Sequence, residues 1–402
     1  MKKQFAIASV IISSFVVLGC GAADPMTAEE INAQYGDQIG TVQSAVTGTY
    51  VALPSLPVVT TVNGFALAAS ADDGSARLGF MFTDATYRQT LLNSGAIQNM
   101  GGVYDGPNAY ATYKIVSSAW SPYEGRTTPQ TYAFSELVVA SSASYYSTNY
   151  PSYGGLVSAI RNGGKGVYAL TPAFTTRKAH SIAVPVGSTA MYSLIAQSGT
   201  TGLTFSNIAI NQFGITYPNA WVNMATLASD ASTVKAPQLV VAGTKMAASY
   251  ILNGDAVIRA TNSASGVTSP SSIGVIGGCT GAPLADIAWD GSFLWAACTN
   301  SSGTLTVKKA SLANLASVVW STVSTSITGN VTDLDLEASS TGVSIAVRIG
   351  TAVEVYKNVT DATANFNDVR PGSFDLARTS NGITLVICDL AGDRTLRTWV
   401  SP

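Results

Sequence analysis

Asp286-Ile287-Ala288-Trp289-Asp290-Gly291, then Ser292, then Phe293-Leu294-Trp295-Ala296-Ala297-Cys298, is the stretch that sets the architecture. A short apolar run headed by an acid meets an Asp-Gly turn and continues as a strongly β-prone run, which predicts a hairpin. The figure returns twice. Asp335-Leu336-Glu337 is followed by Thr341-Gly342 and an apolar run over 343–347. Asp375-Leu376-Ala377 is followed by Asn381-Gly382 and an apolar run over 383–388. Looser copies centre on Leu67, Val138, Ile182 and Val240.

From Val138 onward the centres lie 40 to 58 residues apart, while the first step, from Leu67 to Val138, is 71. A four-stranded propeller blade takes roughly 40–50 residues. The chain therefore resembles a β-propeller of about seven four-stranded blades, with one blade enlarged by an insertion or hiding an eighth. The WD, kelch double-glycine and quinoprotein tryptophan motifs of named propeller families are absent. After Leu376 only enough chain remains for three strands, so the run Thr47-Gly48-Thr49-Tyr50-Val51-Ala52-Leu53 is expected to supply the fourth and close the ring. The all-β alternative is tandem β-sandwiches, which explain short strands but not the near-constant spacing.

Composition narrows the function classes. Charged residues make up 11% of the 402 and hydrophobic residues 47%, which excludes a disordered chain. The formal net charge of −2 and the lack of a basic stripe argue against nucleic-acid binding.

The first twenty residues carry an address. Met1-Lys2-Lys3 is basic, 5–18 is apolar and uncharged, and Val17-Leu18-Gly19-Cys20 follows. This resembles the lipobox signal of bacterial lipoproteins, with the bulkier Leu18 where Ala or Ser is usual. The resemblance implies removal of 1–19, and diacylglycerol plus a fatty-acyl group such as palmitate on Cys20. In enteric lipoproteins Asp after the Cys retains the protein in the inner membrane, so Gly21 favours the outer membrane. Residues 20–45 read as a tether with a short helix over 27–35, opened by the capping box Thr27-Ala28-Glu29-Glu30. Residues 46–402 form the β domain.

Chemistry-bearing residues are sparse. Cys279 and Cys298 are expected on the same face of one blade, where a disulfide is reasonable, and Cys388 is expected to be free and buried. His180 is the one histidine, with no Gly-x-Ser-x-Gly elbow beside it. Asp286, Asp335 and Asp375 recur at the start of a strand. They could gather near the propeller mouth to hold a Ca²⁺ ion or act as acid and base on a glycoside. Equally, each could bond turn amides of its own blade. Asp333, Asp335 and Glu337 would share one strand face. Ser70-Ala71-Asp72-Asp73-Gly74 partly resembles the Asp-box turn of sialidase propellers, but Arg77 stands where an aromatic belongs.

Nine of the 17 tyrosines fall between positions 104 and 153, together with Trp120. Tyr145, Tyr146, Tyr150 and Tyr153 sit among Ser, Thr, Asn and Gly, a mixture suited to recognition at low entropy cost. Two functions follow. The first is a lipid-anchored, non-catalytic cell-envelope module presenting this face to a protein or glycan. The alternative is a glycan-processing hydrolase using the mouth carboxylates. No cofactor other than Ca²⁺ suggests itself.

Overall fold

The strand Gly342–Ile349 is covered on both of its faces, and the structure shows how. Successive side chains point to opposite sides of a strand. Val343, Ile345 and Val347 pack with Ala288, Trp295 and Val307 of the preceding sheet. Ala346 packs with Leu376, Val386 and Cys388 of the following one. This sheet is thus enclosed by its two neighbours in sequence, and the described core is divided into clusters at the sheet-to-sheet seams.

A computed structural model describes the backbone of the strands between Thr49 and Ala228, with a few side chains from 181 onward. It describes 233–262 and 273–390 almost throughout, and the backbone of Leu396–Ser401. All of these residues belong to one compact unit, Gly40–Pro402.

The architecture is all-β and propeller-like. Four consecutive blades are described most fully. The first holds Lys235–Ala242, Lys245–Leu252, Asp255–Thr261 and Ile273–Cys279. The second holds Ala285–Trp289, Leu294–Thr299, Leu305–Ala310 and Trp320–Val323. The third holds Val331–Ser339, Gly342–Ile349, Ala352–Lys357 and Asp361–Phe366. The fourth pairs Val369–Arg378, Thr384–Leu390 and Leu396–Ser401 with the distant strand Thr49–Tyr50, in the register Thr49↔Val400 and Tyr50↔Trp399. Within each blade the strands pair antiparallel in sequence order. Three further sheets of this kind comprise strands within 62–128, 133–169 and 177–228. The first is the longest, and its stretch 83–107 lies outside the described residues. The first strand of each sheet lies beside the first strand of the next.

Tight turns join the strands. Gly342 sits at φ 135°, a conformation L side chains avoid, which explains the glycine after Thr341. Gly278 has a different reason. A Cβ there would run into the carbonyl oxygen of Ala256 on the paired strand. Gly278→Ala is therefore expected to lose about 1–3 kcal/mol through forced separation of the two strands, read as a lower denaturant midpoint; an unchanged midpoint would refute the close approach.

Candidate functional site

The recurring aspartates occupy the first strand of their blades, as the repeat placed them. Asp286 is 6% exposed. Its Oδ1 accepts the amide of Ile287 at 2.7 Å, and its Oδ2 accepts the amide of Leu336, in the next blade, at 2.8 Å. Asp335 repeats this one blade on, its Oδ2 accepting the amide of Leu376 at 2.7 Å. Asp375 Oδ1 accepts that same Leu376 amide at 3.0 Å. Earlier in the chain the buried Ser181 plays the same part, its Oγ accepting the amide of Leu239 at 3.0 Å.

These bonds define a belt. Ser181, Asp286 and Asp335 each place a side-chain oxygen of one first strand on the amide of a residue in the following first strand. Leu239, Leu336 and Leu376 are consequently equivalent, so Gln238 stands where Asp335 and Asp375 stand. The repeat centre expected at Val240 is corrected by one residue to Leu239. The unbroken run Leu239-Val240-Val241-Ala242 offers no internal mark of register. Bonding within the blade holds for Asp286 and Asp375, though to the next amide of the strand rather than to a turn, while Asp286 and Asp335 also reach across the seam.

Electrostatics follow from this burial. Burial pushes the Asp335 carboxyl above the ordinary carboxylate range, outweighing hydrogen bonds from Asp375 and the Leu376 amide, and Asp333 pushes it further. Burial likewise raises Asp333, against the amides of Leu334 and Gly372 and the charge of Arg348. Asp333 Oδ1 accepts the Leu334 amide at 3.0 Å and Oδ2 the Gly372 amide at 3.2 Å. No group of three or more His, Cys, Asp or Glu side chains able to hold a metal occurs among the described residues.

Three arginines lie along the same seam. Arg348 donates to the carbonyl of Val369 at 3.3 Å and to Thr332 Oγ1 at 3.4 Å. Arg370 pairs with Asp389 at 3.2 Å. Arg378, 2% exposed, donates to Ser344 Oγ at 2.8 Å, Thr384 Oγ1 at 3.1 Å and the Thr341 carbonyl at 3.0 Å. Sequence reading singled out none of them, since lone arginines carry no spacing signal.

Cys279 and Cys298 form a disulfide, with Cα atoms 6.5 Å apart. The expectation that both lie on one blade is corrected. Cys279 ends the last strand of one blade, and Cys298 lies on the second strand of the next. Cys388 is free and buried, and burial pushes its thiol well up. That leaves little thiolate for chemistry.

Tyr145, Tyr146 and Tyr150 lie on the strand Ala143–Tyr150, second in its sheet, and Trp120 begins the strand Trp120–Thr128. Their side chains lie outside the described residues, as do Tyr153, Cys20 and the Ser70–Gly74 turn. His180 pairs in backbone register with Ile195, its side chain likewise undescribed.

No protein-family model matches the chain, and no curated protein does. Solved structures are similar in fold. A periplasmic gluconolactonase of Pseudomonas aeruginosa has a TM-score of 0.46 and 10% identity, over 84% of this chain and 88% of that one. A prolyl endopeptidase gives 0.45 and 10%, over 83% of this chain and 47% of its own. A Hadza microbial sialidase gives 0.43 and 9%, over 85% and 65%. The chain thus spans less than half of the endopeptidase it resembles. Likeness at this level carries no catalytic residue across.

Proposed function

We propose that this chain is an exported, lipid-anchored binding module of the bacterial cell envelope, non-catalytic, built as a seven-bladed ring closed by its N-terminal strand. Cys20 carries the lipid, 20–45 is the tether, and the outer membrane is the destination. The observation that carries the non-catalytic reading is the fate of the repeated carboxylates. Asp286 and Asp335 point oxygens at amides of the neighbouring blade rather than across a cleft. A glycosidase needs two free carboxyl groups about 5–9.5 Å apart with room for sugar or water between them. The ring is supported by seven four-stranded sheets and by the packing of Val369–Arg378 beside Val62–Ala69. Export is supported by the first twenty residues and by a disulfide, which persists in oxidising compartments.

Recognition is assigned to the tyrosine-rich sheet. Changing Tyr145, Tyr146 and Tyr150 together to Ala should reduce retention of an envelope protein or glycan by roughly tenfold or more, with the melting temperature unchanged. The measurement is a pull-down against envelope extract and a glycan panel; equal retention by the variant ends the proposal. The hydrolase reading would need carboxylates other than Asp286 and Asp335.

A further inference from the structure

The seam between the third and fourth blades brings two aspartates of neighbouring first strands together. At Leu376 two carboxylates, Asp335 and Asp375, converge on a single amide, at 2.7 and 3.0 Å. Ionised oxygens are acceptors only, so two carboxylates crowded at one N–H repel unless a proton lies between them. We propose that Asp335 and Asp375 share one proton and that this carboxyl–carboxylate pair is an acid-closed latch across the seam, loosened when the proton leaves.

The surroundings fit. Asp335 lies on Val331–Ser339, which packs against Ala285–Trp289, Leu294–Thr299, Gly342–Ile349 and Val369–Arg378. The charged groups on these elements are Asp333 and Glu337 on its own strand, Asp286 before it, Arg348 on the hairpin partner, and Arg370, Asp375 and Arg378 after it. The strand Leu294–Thr299 carries none. The three cations are directed elsewhere: Arg348 to Val369 and Thr332, Arg370 to Asp389, and Arg378 to Ser344, Thr384 and Thr341. Among the interactions of Asp335, none is with a cation. The charge of Asp333 favours holding the proton, and burial acts in the same direction, outweighing the opposing influence of Asp375.

The sign follows from linkage. A carboxyl raised in the folded state binds more protons there than in the unfolded chain, between the two pKa values. Stability from this pair is therefore full in acid and falls as pH climbs from the ordinary carboxylate value, near 4, through the raised one. Asp335→Asn mimics the protonated form. Its amide oxygen can accept from Leu376, and its NH₂ can donate to Asp375.

The test uses the full chain. Melting temperature is followed from about pH 4.5 to 8, where ordinary aspartates are already ionised. Wild type should fall behind Asp335→Asn by on the order of 2 °C or more across that span. A constant difference overturns the proposal. Asp375→Asn serves equally if the first variant folds poorly. The infrared carbonyl band of a protonated carboxyl, titrated on wild type alone, should outlast those of the ordinary aspartates as pH rises and then fade; a band lost together with theirs also overturns the latch.

Discussion

Replacing Asp286 by Ala is expected to destabilise the protein by about 2–6 kcal/mol, since two amides lose their acceptor and each orphaned group costs about 1–3. Both donors, Ile287 and Leu336, lie in the buried seam between the second and third blades. Asp286→Asn keeps one accepting oxygen and should lose about half as much. The two variants therefore separate a hydrogen-bonding role from a simple need for negative charge. Denaturant midpoints give the size of the loss. Hydrogen exchange at the Leu336 amide gives its place, because that proton should exchange faster in the Ala variant. A loss under about 0.5 kcal/mol with unchanged exchange would mean that the belt contributes nothing.

Removing the disulfide should have a comparable effect. Cys279 and Cys298 are 19 positions apart, and a crosslink closing a loop of this size contributes roughly 3 kcal/mol, chiefly by restricting the unfolded chain. The double replacement Cys279→Ala, Cys298→Ala should therefore lower the denaturant midpoint. Reductant should lower wild type to a similar level and leave the double variant where it was. If reductant also shifts the double variant, the effect belongs to something other than this bond.

Much of the fold was legible because it rests on hairpins whose turns advertise themselves. Asp290-Gly291, Thr341-Gly342 and Asn381-Gly382 place a glycine where φ is 97°, 135° and 90°, so the residue type is dictated by backbone geometry. The apolar runs that follow them mark strands enclosed on both faces. The short closing run around Thr49 and Tyr50 was legible for another reason, since the chain after Leu376 leaves its sheet one strand short.

The belt was harder to read. Its requirement is a short side chain with an accepting oxygen, which Asp286 and Asp335 meet, and Ser181 too. A search for acids sees two of these members and misses the third. Glu136, in Glu136-Leu137-Val138-Val139-Ala140, matches Gln238-Leu239-Val240-Val241-Ala242 letter for letter after its first residue. That places it at the same position once the one-residue correction is made. The direction of the bonds was not legible at all. Whether a carboxylate reaches its own turn or the neighbouring blade depends on the distance between strands some 40 to 50 positions apart, which no local pattern encodes. The same limit applied to Cys279, whose strand belongs to one blade while its partner belongs to the next.

Each belt bond reads only a main-chain N–H on its neighbour, and every residue but proline offers one. A blade therefore makes no demand on the side-chain identity of whichever blade follows it at that point. Duplicating, deleting or exchanging such a module during descent keeps this junction intact, provided the incoming first strand avoids proline there. Sequence is then free to diverge around a conserved joint.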